Sequence, residues 1–428
     1  SIKITGGQKI EGEVLVSGAK NASMPIIIAS LLSKKKVTLS NVPFVTDVTT
    51  LLSLLMDLGT SLEVCGDGRV RKVITLETPN LDFKTEVGAM ATKIRTSVLL
   101  MGPLLARNGY VKLLKPGGCN IGERKTDLHV LGMQALGAKV LETEEYLELT
   151  TEGERLKAAD FIFPKVSVGA TENVIMAMVL AEGISFLRNI AIEPEIEDLI
   201  SFLNMLGAKI TKVGERELKI EGVEELEGGE YIIMPDRMEA LTYAMMAAVT
   251  GGSILLENIS VQHLNGGVEY LEKIGMVFED VPSGYPFGSV KSGLKEGAIK
   301  SIDVETNPFP GFATDLQPQL TVMMLFANEP SYIKENIFEN RFRHVKYLQK
   351  MGAKLEFEEQ NKIKIYPSTE LIGTEVEGTD LRACAALLMA GLMAKGETTM
   401  INAESVDRGY YNFVKNLNSC GAILSRSS

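Results

Sequence analysis

Hydrophobic positions along the chain fall into two helical patterns that alternate. The first is amphipathic, ends in glycine and is followed by a strand. Its copies end Asp57-Leu58-Gly59, Ala135-Leu136-Gly137, Met205-Leu206-Gly207, Lys273-Ile274-Gly275, Lys350-Met351-Gly352 and Ser419-Cys420-Gly421. Successive glycines lie 68 to 78 residues apart, so the chain is six copies of one unit. A glycine just past the last helical residue takes the left-handed conformation that stops the helix.

The second pattern is apolar on nearly every side and spans 22–32, 96–106, 173–181, 240–249, 316–327 and 382–394. These segments are too short to cross a bilayer, and a helix without a polar face must be surrounded by protein. The strands after them alternate, as in Val37, Leu39 and Val42 against Thr38 and Ser40, which suits sheets wet on one face. The expected fold is an inside-out α/β barrel with helices inside and sheets outside. Six such units exceed one core, and three per domain gives two domains of ordinary size. The expected division is 1–20 with 235–428 as one domain and 21–234 as the other, crossed near Lys20 and Pro235, with the active site in the cleft between them.

Composition narrows the function. With 45% hydrophobic and 23% charged residues, the 428-residue chain is expected to be ordered throughout. A net charge of -11 disfavours nucleic acid and anionic membranes as partners, so an anionic ligand must meet a local basic cluster. No apolar run reaches membrane-spanning length and residues 1–13 lack a signal-peptide core, which points to the cytoplasm. Four cysteines without a Cys-x-x-Cys pair suit a reducing compartment, and three histidines make a zinc site improbable.

Within the repeats, charged residues concentrate at two positions. One opens the buried helix: Lys20 with Asn21, Arg95, Thr171, Arg237, Asp315, and Asp380 with Arg382. The other opens the amphipathic helix: Asp47, Arg124, Glu195, His263, Arg341 and Arg408. One Asp or Arg at such a position is most often a cap or a surface salt bridge. Five basic residues at matched positions of an acidic chain point instead to an anion site, where helix N-termini add their own positive end. Cys65, Cys384 and Cys420 are expected to be small buried hydrophobes. Cys119 differs: it follows Pro116-Gly117-Gly118 in a glycine-rich loop with Lys115, Arg124 and Lys125, a setting that lowers a thiol pKa and suits a lid.

The chain resembles the enolpyruvyl transferases over its full length. The resemblance rests on Gly18-Ala19-Lys20-Asn21-Ala22, on Pro116-Gly117-Gly118-Cys119 with Ile121-Gly122 and Arg124, and on Lys165-Val166-Ser167-Val168-Gly169-Ala170-Thr171. It rests also on the surroundings of Asp315, on Phe338-Glu339-Asn340-Arg341-Phe342, and on Asp380-Leu381-Arg382-Ala383 with Asp407-Arg408-Gly409-Tyr410. It implies two domains of three repeats, no metal and no cofactor. It also implies phosphoenolpyruvate and UDP-N-acetylglucosamine as substrates, joined by addition and elimination with release of phosphate in the first committed step of peptidoglycan synthesis.

Carried over residue by residue, the resemblance assigns phosphoenolpyruvate to Lys20, Arg124, Arg341, Arg382 and Arg408, with Asn21 near the sugar. It assigns the nucleotide sugar to Arg95, Arg124, Lys125, Thr126, Asp127, Leu128, Lys165, Ser167, Val168, Gly169 and Ile337. Asp315 would take the proton of the attacking hydroxyl. Cys119 would protonate the methylene carbon and would be the residue alkylated by the epoxide fosfomycin. The run Arg124-Lys125-Thr126-Asp127-Leu128 departs from the family, which often has Pro and an aliphatic residue after that Arg; the change touches uracil contacts and not the reaction class. Two alternatives stand beside this reading: the sister activity on shikimate 3-phosphate, which lacks the cysteine loop, and a repeat protein that only binds a nucleotide sugar.

Overall fold

The computed structural model describes residues 1–66, 72–82, 95–114, 126–295, 297–368 and 370–427. Within these residues the helices are α1 (Lys20–Ala29), α2 (Thr46–Asp57), α3 (Met101–Asn108), α4 (Asp127–Ala135), α5 (Val168–Met178), α6 (Pro194–Met205), α7 (Arg237–Val249), α8 (Val268–Ile274), α9 (Gln317–Met324), α10 (Val345–Lys350), α11 (Leu381–Met393) and α12 (Phe413–Ser419). Odd-numbered helices are the all-apolar kind and even-numbered ones the amphipathic kind. All thirteen residues of α7 are buried, whereas α6 buries Ile196, Leu199, Ile200 and Leu203 along one stripe.

The chain divides into two compact units. Among the described residues, one comprises those of 1–17 and 235–427, the other those of 18–114 and 126–234. In the first, the core gathers α7, α9 and α11 with the inward residues of three sheets. Each of those sheets has four strands and one parallel pair: Gly12–Leu15 on Ser253–Glu257, Val304–Glu305 on Ser331–Lys334, and Glu375–Glu377 on Glu397–Ile401. The start of the chain completes two of them, since Ile2–Thr5 lies between Glu397–Ile401 and Ile423–Arg426. In the second unit, Gly229–Ile232 pairs in parallel with Val37–Val42, and Asp160–Ile162 with Ile184–Arg188. The sheet around Tyr146–Thr150 has three strands among the described residues.

All six terminal glycines are left-handed, with φ between 96° and 108°. Sequence boundaries shifted elsewhere. The 96–106 segment opens as a 3-10 turn, Arg95–Leu100, before α3, and α9 is likewise preceded by the 3-10 turn Thr314–Leu316. Helix α5 starts at Val168 with Ser167 as its N-cap, so Thr171 sits inside it rather than at its entry; its hydroxyl bonds back to the Ser167 carbonyl at 2.7 Å. Helices α8, α10 and α12 have only six or seven residues. His263, Arg341 and Arg408 therefore lie in the turns that precede them. Cys65 is exposed, a correction that follows from its place on the edge strand Ser61–Cys65, while Cys384 and Cys420 are buried.

Candidate active site

The two charged positions of a repeat meet in space. In the first repeat Lys20, which opens α1, reaches Asp47 in the first turn of α2, with Nζ 2.7 Å from Oδ2 and both side chains nearly buried. In the fifth repeat the signs are reversed. Asp315, in the 3-10 turn before α9, accepts from Arg341 ahead of α10 at 3.0 Å. The same interaction thus serves two repeats with its charges exchanged.

Asp315 carries a second partner. Its other oxygen accepts from Arg382 Nη2 at 3.1 Å, and both arginine side chains are 3% exposed against 23% for Asp315. Arg382 is placed by α11, whose N-cap Asp380 accepts from the N–H groups of Arg382 and Ala383. Its Nη1 donates to the Tyr410 hydroxyl at 2.9 Å. Gln319 Nε2 reaches both that hydroxyl, at 3.3 Å, and Thr242 Oγ1, at 3.0 Å. Burial opposes the Arg382 charge, but Tyr410, Asp315 and Asp236 outweigh it and the net direction is upward. Burial raises the Tyr410 hydroxyl in turn. Arg341 Nε and Arg382 Nε are buried without a hydrogen-bond partner among the described residues. The result is a rigid concentration of positive charge around one partly exposed carboxylate, suited to an anion beside a proton acceptor.

In the second unit the residues expected for the nucleotide sugar fall on the entries of α4 and α5. Thr126 precedes α4, Asp127 and Leu128 open it, and Ser167, Val168 and Gly169 form the start of α5 with Lys165 exposed just before. His129 joins the two: its ring packs on Gly169, where an added Cβ would lie 3.3 Å from Cε1. Asn173 fixes that ring. Its Oδ1 accepts from Gly102 N at 2.7 Å and its Nδ2 donates to Val98 O and to His129 Nδ1, each at 2.9 Å. Nδ1 is then an acceptor and Nε2 carries the hydrogen, in keeping with a pKa lowered by burial to about 4.

Asn21 follows Lys20 on α1 and is exposed, and Arg408 ends the 3-10 turn Ala403–Arg408 half-buried. Arg95 opens a 3-10 turn. Ile337 is half-buried after the strand Ser331–Lys334. Cys119, Arg124 and Lys125 lie outside the described residues. Sequence reasoning gave no role to Tyr410, Thr242, Gln319 or Glu335; Tyr410 was marked only by the motif it closes.

Fold and site together define the class. The family described as EPSP synthase (3-phosphoshikimate 1-carboxyvinyltransferase) matches residues 4–417, and the chain belongs to that family of enolpyruvyl transferases. Among its relatives, a Granulibacter bethesdensis protein named UDP-N-acetylglucosamine 1-carboxyvinyltransferase is 41% identical over 100% of this chain and 99% of its own length. A protein of the same name from Wolbachia pipientis subsp. Culex pipiens is 42% identical over 97% of each. Among solved structures, the enolpyruvyl transferase NikO from Streptomyces tendae superposes with a TM-score of 0.88 at 22% identity, covering 100% of this chain and 98% of its own. EPSP synthase from Acinetobacter baumannii superposes at 0.76 and 21%, covering 99% of each chain. These two likenesses concern the fold.

Proposed function

We propose that this enzyme transfers the enolpyruvyl group of phosphoenolpyruvate to the 3-hydroxyl of UDP-N-acetylglucosamine. The supporting observation is end-to-end similarity near 40% to relatives named for that reaction, combined with a carboxylate set between two buried arginines. In the addition step the sugar oxygen bonds to C2 of phosphoenolpyruvate, its proton passes to Asp315, and Cys119 gives a proton to C3. In the elimination step C3 loses a proton, the bond from C2 to the phosphate oxygen breaks, and inorganic phosphate leaves with the enol ether in place. An acid and a base on opposite sides of the reacting carbons are what this sequence of transfers needs.

Arg341 and Arg382 are assigned to the phosphate and carboxylate of phosphoenolpyruvate, along with Arg408, Lys20 and Arg124. Lys165, Ser167, Val168 and Gly169, the segment from Arg124 to Leu128, Arg95 and Ile337 are assigned to the nucleotide sugar, with Asn21 beside it. No helix of the described residues is long and apolar enough to cross a membrane. We place the enzyme in the cytoplasm, a reducing compartment where free thiols such as Cys384 and Cys420 persist.

The decisive assay is phosphate release from phosphoenolpyruvate with UDP-N-acetylglucosamine or shikimate 3-phosphate added separately. Release with the nucleotide sugar is expected. Release only with the shikimate ester would assign the sister activity, and release with neither would leave a binding protein.

A further inference from the structure

The repeats supply a control for each position, and among the described residues one breaks their rule; the second copy has Lys115 at this point of the sequence, outside the described residues. The position at the end of the first strand after the buried helix is an asparagine in four copies, Asn41 within Val37–Val42 and Asn189, Asn258 and Asn402 just past their strands, each with φ between 52° and 66°. In the first three the side-chain amide donates to a carbonyl on the neighbouring parallel strand's path: to Ile233 at 2.9 Å, Phe163 at 2.8 Å and Val16 at 3.2 Å. In the fourth it donates to Glu377 on the neighbouring parallel strand at 2.9 Å. The strand register of the fifth copy, Lys334 opposite Glu305, puts Glu335 at this position, opposite Thr306. Sequence alone aligns Asn336-Ile337 with Asn258-Ile259; the register shows one residue more here.

Glu335 is not left-handed, and its side chain turns elsewhere. Glu335 is 3% exposed. Oε1 accepts from Thr314 Oγ1 at 2.9 Å and from the N–H groups of Ile337 and Phe338, each at 3.1 Å, while Gln317 Nε2 lies 3.4 Å from Oε2. Its own backbone is held on both sides by Asn361. Thr314 adjoins Asp315, and the Phe338 ring lies 5.7 Å from the Arg341 guanidinium.

We propose that Glu335 is a positioning residue for catalysis: its carboxylate ties the turn bearing Asp315 to the segment of Ile337 and Phe338, so that base and nucleotide-sugar contacts keep one spacing. A purely structural role is served elsewhere by an asparagine whose amide donates to the neighbouring parallel strand or the residue just past it. A buried carboxylate costs more to desolvate, and several donors offset part of that cost here. Burial raises its pKa, while the Phe338 N–H, the Thr314 and Thr306 hydroxyls and the Arg341 charge oppose the rise. The inference rests on the proposed transferase reading for its kinetic part and on the geometry alone for its exchange part.

The test compares the full chain with Glu335→Ala and Glu335→Gln, by amide hydrogen exchange of the free proteins over 336–342 and by steady-state phosphate release. Glu335→Ala should exchange faster at Ile337 and Phe338, raise KM for UDP-N-acetylglucosamine about tenfold and lower kcat about tenfold, with a smaller change in KM for phosphoenolpyruvate. Glu335→Gln keeps an acceptor oxygen and should restore exchange and kinetics to within about threefold of the parent. If Glu335→Ala does not fold, Thr314→Val removes one donor and should lower kcat with less effect on stability. Unchanged exchange overturns the clamp whatever the enzyme's substrate. Faster exchange with unchanged kinetics, or losses in both variants that only follow the folded fraction by circular dichroism, overturns the positioning role. A parent enzyme inactive toward the nucleotide sugar would sink the transferase reading and leave the exchange result standing on its own.

Discussion

Arg382 and Asp315 are joined at 3.1 Å between Nη2 and Oδ2, with the arginine buried and the aspartate facing partly outward. Removing the carboxylate leaves the Arg382 and Arg341 charges buried without it. Asp315→Ala is expected to lower kcat at least a thousandfold if Asp315 is the base. It should also destabilise the fold by roughly 3 to 5 kcal/mol. Added inorganic phosphate should raise the Tm of this variant more than that of the parent, because an anion then replaces the missing charge. Near-parental turnover in the variant would rule out the base.

Tyr410 tests the second layer of the same cluster. Its hydroxyl accepts from Arg382 and meets Thr242 and Gln319 at 3.3 Å in a buried network. Tyr410→Phe keeps the ring, which stacks on Phe413 at 4.5 Å, and removes only the oxygen. The expected outcome is a stability loss of about 1 to 3 kcal/mol, from stranding buried donors, and a several-fold rise in KM for phosphoenolpyruvate. Urea unfolding and initial rates measure the two effects, and an unchanged KM would separate Tyr410 from substrate binding.

Much of the fold was legible because its signals are local. A helix with no polar face has one place to go, and a glycine after a helix has one conformation to adopt, so α7, α11 and the six termini could be placed from sequence. The pairing of the two charged positions was not legible. Lys20 with Asp47 and Asp315 with Arg341 are 26 or 27 residues apart, and only the return of the chain past its sheet brings them together. Thr242 and Gln319 read as packing in apolar helices, since a polar residue there shows its partner only in three dimensions. Glu335 was hidden by the one-residue shift beside Asn336.

The glycines offer a test that separates conformation from space. Gly207 has φ 99° and nothing within 4 Å of an added Cβ, so Gly207→Ala pays for the left-handed backbone alone, about 1 to 2 kcal/mol. At Gly222 φ is unremarkable, but a Cβ would fall 1.5 Å from the Ala181 carbonyl oxygen. Backbone must move there, and Gly222→Ala should destabilise the protein more than Gly207→Ala in chemical denaturation. The reverse order would mean that the close approach relaxes freely.

Cys119 is the expected acid of the proposed mechanism. Cys119→Asp should retain measurable turnover because a carboxylic acid can also deliver the proton, whereas Cys119→Ala should not. Fosfomycin, a small phosphonate epoxide, should add covalently to Cys119 when the nucleotide sugar is present, which intact-mass measurement detects as one adduct. Full activity of Cys119→Ala would remove the thiol from the chemistry.

All three histidines are shifted downward by burial, His129 and His344 to about 4 and His263 in the same direction. The unfolded chain takes up these protons near pH 6.5, the folded chain only near 4, so between those values the unfolded state binds more protons. Stability then falls as the pH falls through this window and is fully present above it. For His129 and His344 the shift corresponds to on the order of 3 kcal/mol each by pH 4. The two histidines sit in different units, so each unit should weaken in mild acid. Denaturation midpoints measured from pH 7 to 4.5 should decline, and His344→Leu, at a fully buried ring position, should flatten the decline while changing stability at pH 7 by less. A slope identical to the parent's would show that the His344 ring is not what resists protonation.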